Sequence, residues 1–202
     1  MAITFTATTV SNPSGAQGSY PLDLTAGHEG MLADLQAYVC RSYRNQSGAA
    51  IPYGVLVQTD NSPTSNDPYA VELVSGVSNI QGMAISSQVL EGASLGSSYT
   101  PNPTPVGPNS RYGYPNTETV NVVSKGVIWV YSAEAIALGD AVRFYISDHS
   151  GTLANAFQGR FGKSSVAGVT VAVTGARWVS ETTAAGLALL EIDIPGMTYS
   201  AD

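Results

Sequence analysis

The fold class of this 202-residue chain is indicated most clearly by one stretch, Thr119-Val120-Asn121-Val122-Val123-Ser124-Lys125-Gly126-Val127-Ile128-Trp129-Val130-Tyr131. Its first part alternates between apolar and polar residues, which is the period of a strand with one buried face. Its last part, from Val127 to Tyr131, is continuously apolar, which is typical of a strand buried on both faces. Both parts therefore predict β-strands, and the second strand is predicted to lie in the interior.

Further short β-prone runs lie on both sides of this stretch and are separated by Gly, Pro, Asn and Asp. They are Tyr38 to Tyr43, Ile51 to Thr59, Tyr69 to Ser75, Ile80 to Ile85, Ala141 to Ile146, Val169 to Val173, Ala176 to Val179 and Leu187 to Ile194. Gly175, between two of these runs, predicts a bulge or tight corner. About ten short strands with no helical repeats for crossover connections exclude a parallel α/β fold. We predict an all-β fold, jelly-roll-like or a closed β-barrel or sandwich.

We divide the chain into an N-terminal arm (residues 1–37), a β domain (38–194) and a C-terminal tail (195–202). The first 27 residues are rich in Thr, Ser, Gly, Pro and Ala and indicate an arm or a weak edge strand. The segment from His28 to Val39 fits a short helix and an extended arm equally well, since a helical apolar stripe is followed by β-formers.

The series of predicted short strands is interrupted by residues 86–115, which contain five prolines. Loops longer than about 15 residues are usually functional or disordered. We therefore predict an insertion that projects from the β domain, with Tyr99, Tyr112 and Tyr114 as contact residues. A plain surface loop fits the composition equally well.

Charge excludes several classes of function. Only 11% of the residues are charged and the net charge is −7, whereas binding of nucleic acid needs a concentrated basic face.

No run of 18 apolar residues is present, so no membrane span is predicted. Met1 to Phe5 lacks a secretory signal, so we expect folding in the cytoplasm of the cell that makes the chain. The single cysteine, Cys40, excludes an intrachain disulfide and is predicted to be a small buried thiol.

Three local motifs suggest chemistry but fit structural roles better. Gly159-Arg160-Phe161-Gly162-Lys163-Ser164 ends like a phosphate-binding loop, yet Phe157 stands where the first glycine is required. Asp148-His149-Ser150 holds the residue types of a hydrolase triad, but consecutive side chains diverge, so the run predicts a hairpin turn. Asp60, Asn61 and Asp67 carry oxygen ligands suited to calcium, but Asx residues that cap turns are the preferred interpretation. We therefore predict no cofactor, no metal and no catalytic residue.

Several segments, taken in order, resemble a family of tailed-phage structural cement proteins, which decorate capsids. These are Gly30-Met31-Leu32-Ala33-Asp34, Ala49 to Val57, Gln81 to Ile85, Lys125 to Val130, Gly139 to Val142, Ser150 to Leu153, Thr174 to Trp178 and Gly186 to Ala188. The resemblance spans roughly residues 30 to 192. The extended arm, the Pro-rich insertion and the tail depart from the family pattern.

The resemblance implies a non-enzymatic β module on the outer surface of the capsid that binds the major capsid protein and stabilises its contacts. It also implies self-association, with a homotrimer favoured over a dimer. Gly30 and Asp34 in the arm, with Tyr99, Tyr112 and Tyr114, are the predicted capsid or subunit contacts. Trp129 and Trp178 are assigned to the core.

Two alternatives remain open from the sequence. A tail-fibre or receptor-binding module that recognises host glycans is also β-rich and poor in charge, and it predicts intertwined trimers that do not bind empty capsids. A carbohydrate-active enzyme requires a cleft with two carboxylates roughly 5 to 10 Å apart.

Overall fold

A computed structural model of the chain describes residues 27–33, 38–60, 67–86, 113–149 and 156–202. Its elements are β1 (Val39–Asn45), β2 (Ile51–Pro52), β3 (Leu56–Thr59), β4 (Ala70–Leu73), β5 (Ile80–Ala84), β6 (Gly113–Tyr114), β7 (Thr119–Ser132), β8 (Val142–Tyr145), β9 (Phe161–Gly162), β10 (Thr170–Thr174), β11 (Arg177–Trp178), β12 (Gly186–Asp193), a 3₁₀ helix (Ile194–Gly196) and β13 (Thr198–Ala201). The predicted all-β fold is confirmed. In these ranges no helix has the length and apolar character needed to cross a membrane.

Five strands close into a barrel in the order β1-β4-β3-β5-β7 and back to β1. The β1–β4 pair is parallel, and the other four pairs are antiparallel. Each wall strand sends apolar side chains to one shared cluster, because alternate residues of a strand point to the same face. That cluster includes Tyr43, Val57, Val71, Ala84 and Val120. The closed-barrel alternative is therefore the observed one.

The long strand β7 links the barrel to a second group of strands. Its first half belongs to the barrel wall, and its second half pairs with β12 from Lys125↔Asp193 to Ser132↔Gly186. Gly126 lies where β7 changes partners, and its φ of 149° is one that residues other than glycine rarely adopt. Strands β9, β8, β10 and β13 continue the sheet from the end of β7. The quoted stretch is thus a single strand that serves both halves.

The main core lies between the barrel wall and the second group of strands. Leu56, Met83 and Val123 of the wall pack in one cluster with aromatic and aliphatic side chains of β8, β9, β11 and β12. The Phe161 and Trp178 rings meet edge to face at 6.5 Å. This shared core fastens the two halves of the molecule to each other.

Residues 27–33 lie along β7, in the gap that β1 and β9 leave on that side, and make a turn at Glu29 and Gly30, where the Met31 amide donates to the His28 carbonyl at 3.0 Å. The Gly30 amide donates to the Trp129 carbonyl at 2.8 Å, and the Ala33 amide donates to the Val127 carbonyl at 2.9 Å. Leu32 forms an antiparallel bridge with Ile128. The described residues of the segment 28–39, which are 28–33 and 38–39, contain a turn, a bridge to β7 and the start of β1 but no helix; residues 34–37 lie outside the described residues.

Other local predictions have mixed outcomes. Gly175, with a φ of 97°, makes the predicted corner between β10 and β11, and Trp178 is buried as predicted. Trp129 is only half-buried. Cys40 is exposed, so the predicted buried thiol is wrong. The reason is position, because all four residues at the start of β1, from Val39 to Ser42, are exposed, so that neither face of the strand is covered there.

The predicted C-terminal tail contains β13, which pairs with β10 from Val171↔Ala201 to Thr174↔Thr198. The Asp202 side chain accepts hydrogen bonds from Thr170 at 2.6 Å and from Arg143 at 2.9 Å. The end of the chain is therefore held against the second group of strands. The division of the chain into arm, β domain and tail stays a prediction.

Candidate assembly site at the roots of the arm and the insertion

The predicted arm and the predicted insertion join the described body at one place, which we call the root site. It consists of residues 27–33, Tyr53 and Gly54, Ile85 and Ser86, and Gly113 and Tyr114. The Ser86 amide donates to the Gly30 carbonyl at 2.9 Å, and the Ser86 hydroxyl is hydrogen-bonded to the His28 ring at 2.7 Å. From the other end of the insertion, the Tyr114 hydroxyl donates to the Ile85 carbonyl at 2.6 Å. The described residues on both sides of the segment 87–112 therefore lie next to the described part of the arm.

Two glycines let the arm backbone lie against the barrel in the root site. Gly30 has a φ of 83°, and a Cβ there would lie 2.7 Å from the Tyr53 Cβ and 2.9 Å from the Gly54 nitrogen. Gly54 has a φ of 71°, and a Cβ there would collide with the Glu29 side chain. Both the backbone conformation and the available space thus require glycine.

A buried ion pair fastens the arm next to these glycines. The Arg160 guanidinium donates to the Glu29 carboxylate through Nε at 3.2 Å and through Nη2 at 3.1 Å. The side chains of Arg160 and Glu29 are only 7% and 19% exposed. The guanidinium also lies over the Tyr131 ring, 4.1 Å from its centroid. The guanidinium is planar, and it both pairs with two carboxylate oxygens and stacks on an aromatic ring. These contacts fix the orientation of Arg160 relative to Glu29 as well as strengthening the pair.

Tyr114 supports the insertion root from inside the molecule. Its side chain is 1% exposed, and its ring meets the Tyr53 ring edge to face at 5.1 Å. Strand β6, which contains it, pairs with β2 through Ile51↔Tyr114. Burial raises the pKa of the Tyr114 phenol, so the hydroxyl stays a neutral donor.

The structure therefore brings together two of the predicted contact residues, Gly30 and Tyr114, which are far apart in the sequence. Asp34, Tyr99 and Tyr112 lie outside the described residues. Both described residues have structural roles here, and their contact with a capsid or another subunit stays a prediction. The Glu29–Arg160 pair was missed by the sequence analysis. Arg160 stands between Gly159 and Phe161, and this local sequence does not indicate which acidic residue pairs with it.

The phosphate-loop-like run has a structural role instead. The amides of Lys163 and Ser164 and the Ser164 hydroxyl donate to the Glu134 carboxylate at 2.8, 2.7 and 2.6 Å. Donors that would face a phosphate in a nucleotide site are thus directed at a carboxylate of the same chain. Gly162 leaves the space for this arrangement, since a Cβ there would lie 2.8 Å from that carboxylate.

The other two motifs show turn chemistry where they are described. His149 forms an antiparallel bridge with Ala156, so it belongs to a paired segment, and Ser150 and Gly151 of the predicted hairpin turn lie outside the described residues. The Asp67 carboxylate accepts from the Tyr69 amide at 2.9 Å, which is an Asx turn. Asn61 lies outside the described residues. Among the residues that are described, no group of His, Cys, Asp or Glu is placed to hold a metal ion.

Replacing Gly30 by alanine is expected to lower the free energy of unfolding by about 2–4 kcal/mol, since positive-φ strain and overpacking add. Gly48→Ala is the matched control, because Gly48 has a similar φ of 76° but open space around it. We expect that control to cost only about 1–2 kcal/mol of conformational strain. Urea unfolding of both variants measures the difference, and equal losses would show that close packing at Gly30 is unimportant.

Comparison with known proteins agrees with this architecture. Among curated proteins, none has a sequence that matches the chain. One chain in the solved capsid of Myoviridae phage XM1 is similar in fold, with a TM-score of 0.58 and 16% identity over 89% of this chain and 98% of that chain. The family model described as "Structural cement protein (E217 gp24/Pam3 gp6)" matches residues 16–193. That range includes the barrel, the root site and the second group of strands except β13, and the chain belongs to the family of phage structural cement proteins.

Proposed function

We propose that this protein is a capsid cement protein that binds the outer surface of the assembled phage head and stabilises contacts between major capsid proteins. The match to the cement family over residues 16–193 carries this proposal. The low content of charged residues, 11%, also suits a surface that is largely covered by partners. In this role the chain does no catalysis, and it is made in the host cytoplasm before it joins the virion.

The root site suggests how one copy reaches its neighbours. Residues 1–26 and 87–112 both start from it, so two long segments of one copy begin side by side. The arm root is held by the Glu29–Arg160 pair and by backbone hydrogen bonds to β7. Asp34, Tyr99 and Tyr112 on or next to these segments are the proposed contacts, since aromatic side chains are common interface anchors.

Binding only to the assembled head stabilises it by mass action. Many copies on one shell multiply that effect, because each attachment raises the effective concentration of the next contact. Self-association of the protein, with a trimer favoured over a dimer, fits symmetric positions on a head.

Purified protein mixed with undecorated mature heads is expected to attach at a particular symmetry axis. Electron microscopy of the mixture measures both the position and the number of copies. The double variant Tyr99→Ala/Tyr112→Ala is expected to bind roughly tenfold more weakly, in line with the loss of interface anchors. Absence of attachment by the unchanged protein under all conditions would contradict the proposal.

Tyr69→Ala is the control for that experiment. Tyr69 is a tyrosine on the barrel that is 64% exposed, so its loss also removes an exposed aromatic ring. We expect its binding to change less than twofold. Equal weakening by both variants would show that the two tyrosines of the insertion are no more important than an exposed tyrosine of the body.

A further inference from the structure

One mouth of the barrel opens into a pocket of about 280 Å³. Its walls come from β1, β5 and β7, with the 3₁₀ helix at the rim. Apolar side chains form about half of the lining, among them Val39, Ile80, Val122 and Ile194, and the rest is polar or charged. A cavity of this size is slightly smaller than those that hold drug-sized ligands, so it suits one or two amino-acid side chains.

The pocket lining also contains a cation for which the described part of the chain supplies no ion pair. Five of the seven basic residues that the structure describes form ion pairs with carboxylates. The remaining two are Arg41 and Arg44, both exposed on β1. Arg41 lines the pocket, whereas Arg44 lies on the opposite face of the strand by alternation. Within the described ranges, the Arg41 guanidinium has no ion pair or hydrogen bond to another side chain.

The nearby polar groups leave Arg41 as the group that remains to be paired. Lys125, also in the lining, is neutralised by Asp193 at 2.7 Å. The Tyr43 hydroxyl donates to the Gln81 carbonyl oxygen at 3.0 Å, and the Gln81 amide donates to the Thr59 hydroxyl at 2.7 Å. Lys125, Tyr43 and Gln81 therefore already have partners within the protein. An arginine that has no ion pair among the described residues and stands at a partly apolar pocket is suited to an incoming carboxylate.

We propose that this pocket binds an extended segment of the major capsid protein in which an aspartate or glutamate stands next to an apolar side chain. The apolar side chain enters the pocket, and the carboxylate pairs with Arg41 at its mouth. Val39, which is 45% exposed, adds apolar surface to the rim. This inference rests on the proposed function, since it names the part of the protein that meets the shell protein.

The test compares Arg41→Gln with Arg44→Gln in binding to undecorated mature heads. Both variants remove one positive charge from the same strand, so they share any general electrostatic effect. Loss of a charge-assisted pair is expected to weaken binding of Arg41→Gln roughly tenfold to a hundredfold. Arg44→Gln is expected to bind within twofold of the unchanged protein. A synthetic peptide copied from the segment of the shell protein that cross-links at the pocket should compete with binding.

The outcomes separate this inference from the proposed function. If the unchanged protein attaches and both variants attach equally well, the pocket inference is overturned and the cement function stands. If Arg41→Gln alters the oligomeric state in analytical ultracentrifugation but not attachment to heads, the occupant is a second copy of this chain, which also overturns it. If the unchanged protein does not attach at all, the proposed function itself fails.

Discussion

Replacing Arg160 by alanine is expected to lower the free energy of unfolding by about 3–5 kcal/mol. The loss leaves the Glu29 carboxylate, which is only 19% exposed, without the guanidinium that pairs with it. It also removes a cation from the faces of the Tyr131 and Phe157 rings. Because Glu29 belongs to the arm root, cleavage by proteases within residues 27–33 should increase in parallel. Urea unfolding and limited proteolysis measure the two effects.

Arg177→Ala is the matched control for this prediction. Arg177 pairs with Glu191, but its side chain is 75% exposed and its partner's is 40% exposed. Exposed pairs contribute little, so we expect a change below about 1 kcal/mol. A double-mutant cycle with Glu29→Gln isolates the coupling between Arg160 and Glu29. If Arg160→Ala and Arg177→Ala lose the same stability, the arm root is not held by this pair.

Replacing Phe161 by alanine is expected to lower the free energy of unfolding by about 3–5 kcal/mol. The ring is fully buried and packs edge to face on Trp178. Phe161 also pairs with Ser132 of β7 on one side and with Phe144 of β8 on the other. A cavity at this position removes contacts from the core that joins the barrel to the second group of strands. Thermal and urea unfolding measure the loss.

Two controls accompany the Phe161 variant. Phe161→Leu keeps most of the apolar volume and is expected to cost less than alanine. Leu138→Ala removes an apolar side chain that is 59% exposed, and we expect a change within about 0.5 kcal/mol. A loss for Phe161→Ala as small as that of Leu138→Ala would contradict the central place of this residue in the core.

The strands were predictable because their signal is local. Alternation in Thr119 to Val123 and the apolar run from Val127 to Tyr131 both lie in β7, as predicted. The expectation of burial on both faces is met only in part. Ile128 and Val130 are fully buried, whereas Trp129 and Tyr131 are half-buried. The half-buried face is covered by the arm root and by Arg160, which the strand pattern alone does not reveal.

The candidate sites were less predictable. Gly30 and Tyr114 were chosen for different reasons, and nothing in the chain between them indicates that they meet. Arg160 was assigned to a discounted phosphate-loop motif, whereas its partner Glu29 lies 131 residues away. The pocket around Arg41 consists of residues from separate strands, each of them ordinary by itself.

The amino-acid sequence by itself determined the all-β class, the positions of most strands and the resemblance to cement proteins, because residue alternation and turn chemistry act over a few neighbouring residues. The tertiary structure alone sets which strands close the barrel, where the roots of the arm and the insertion meet, and which of the described basic side chains have no ion pair within the described ranges. Those features depend on pairing between distant segments, and pairing follows from the packing of the whole core.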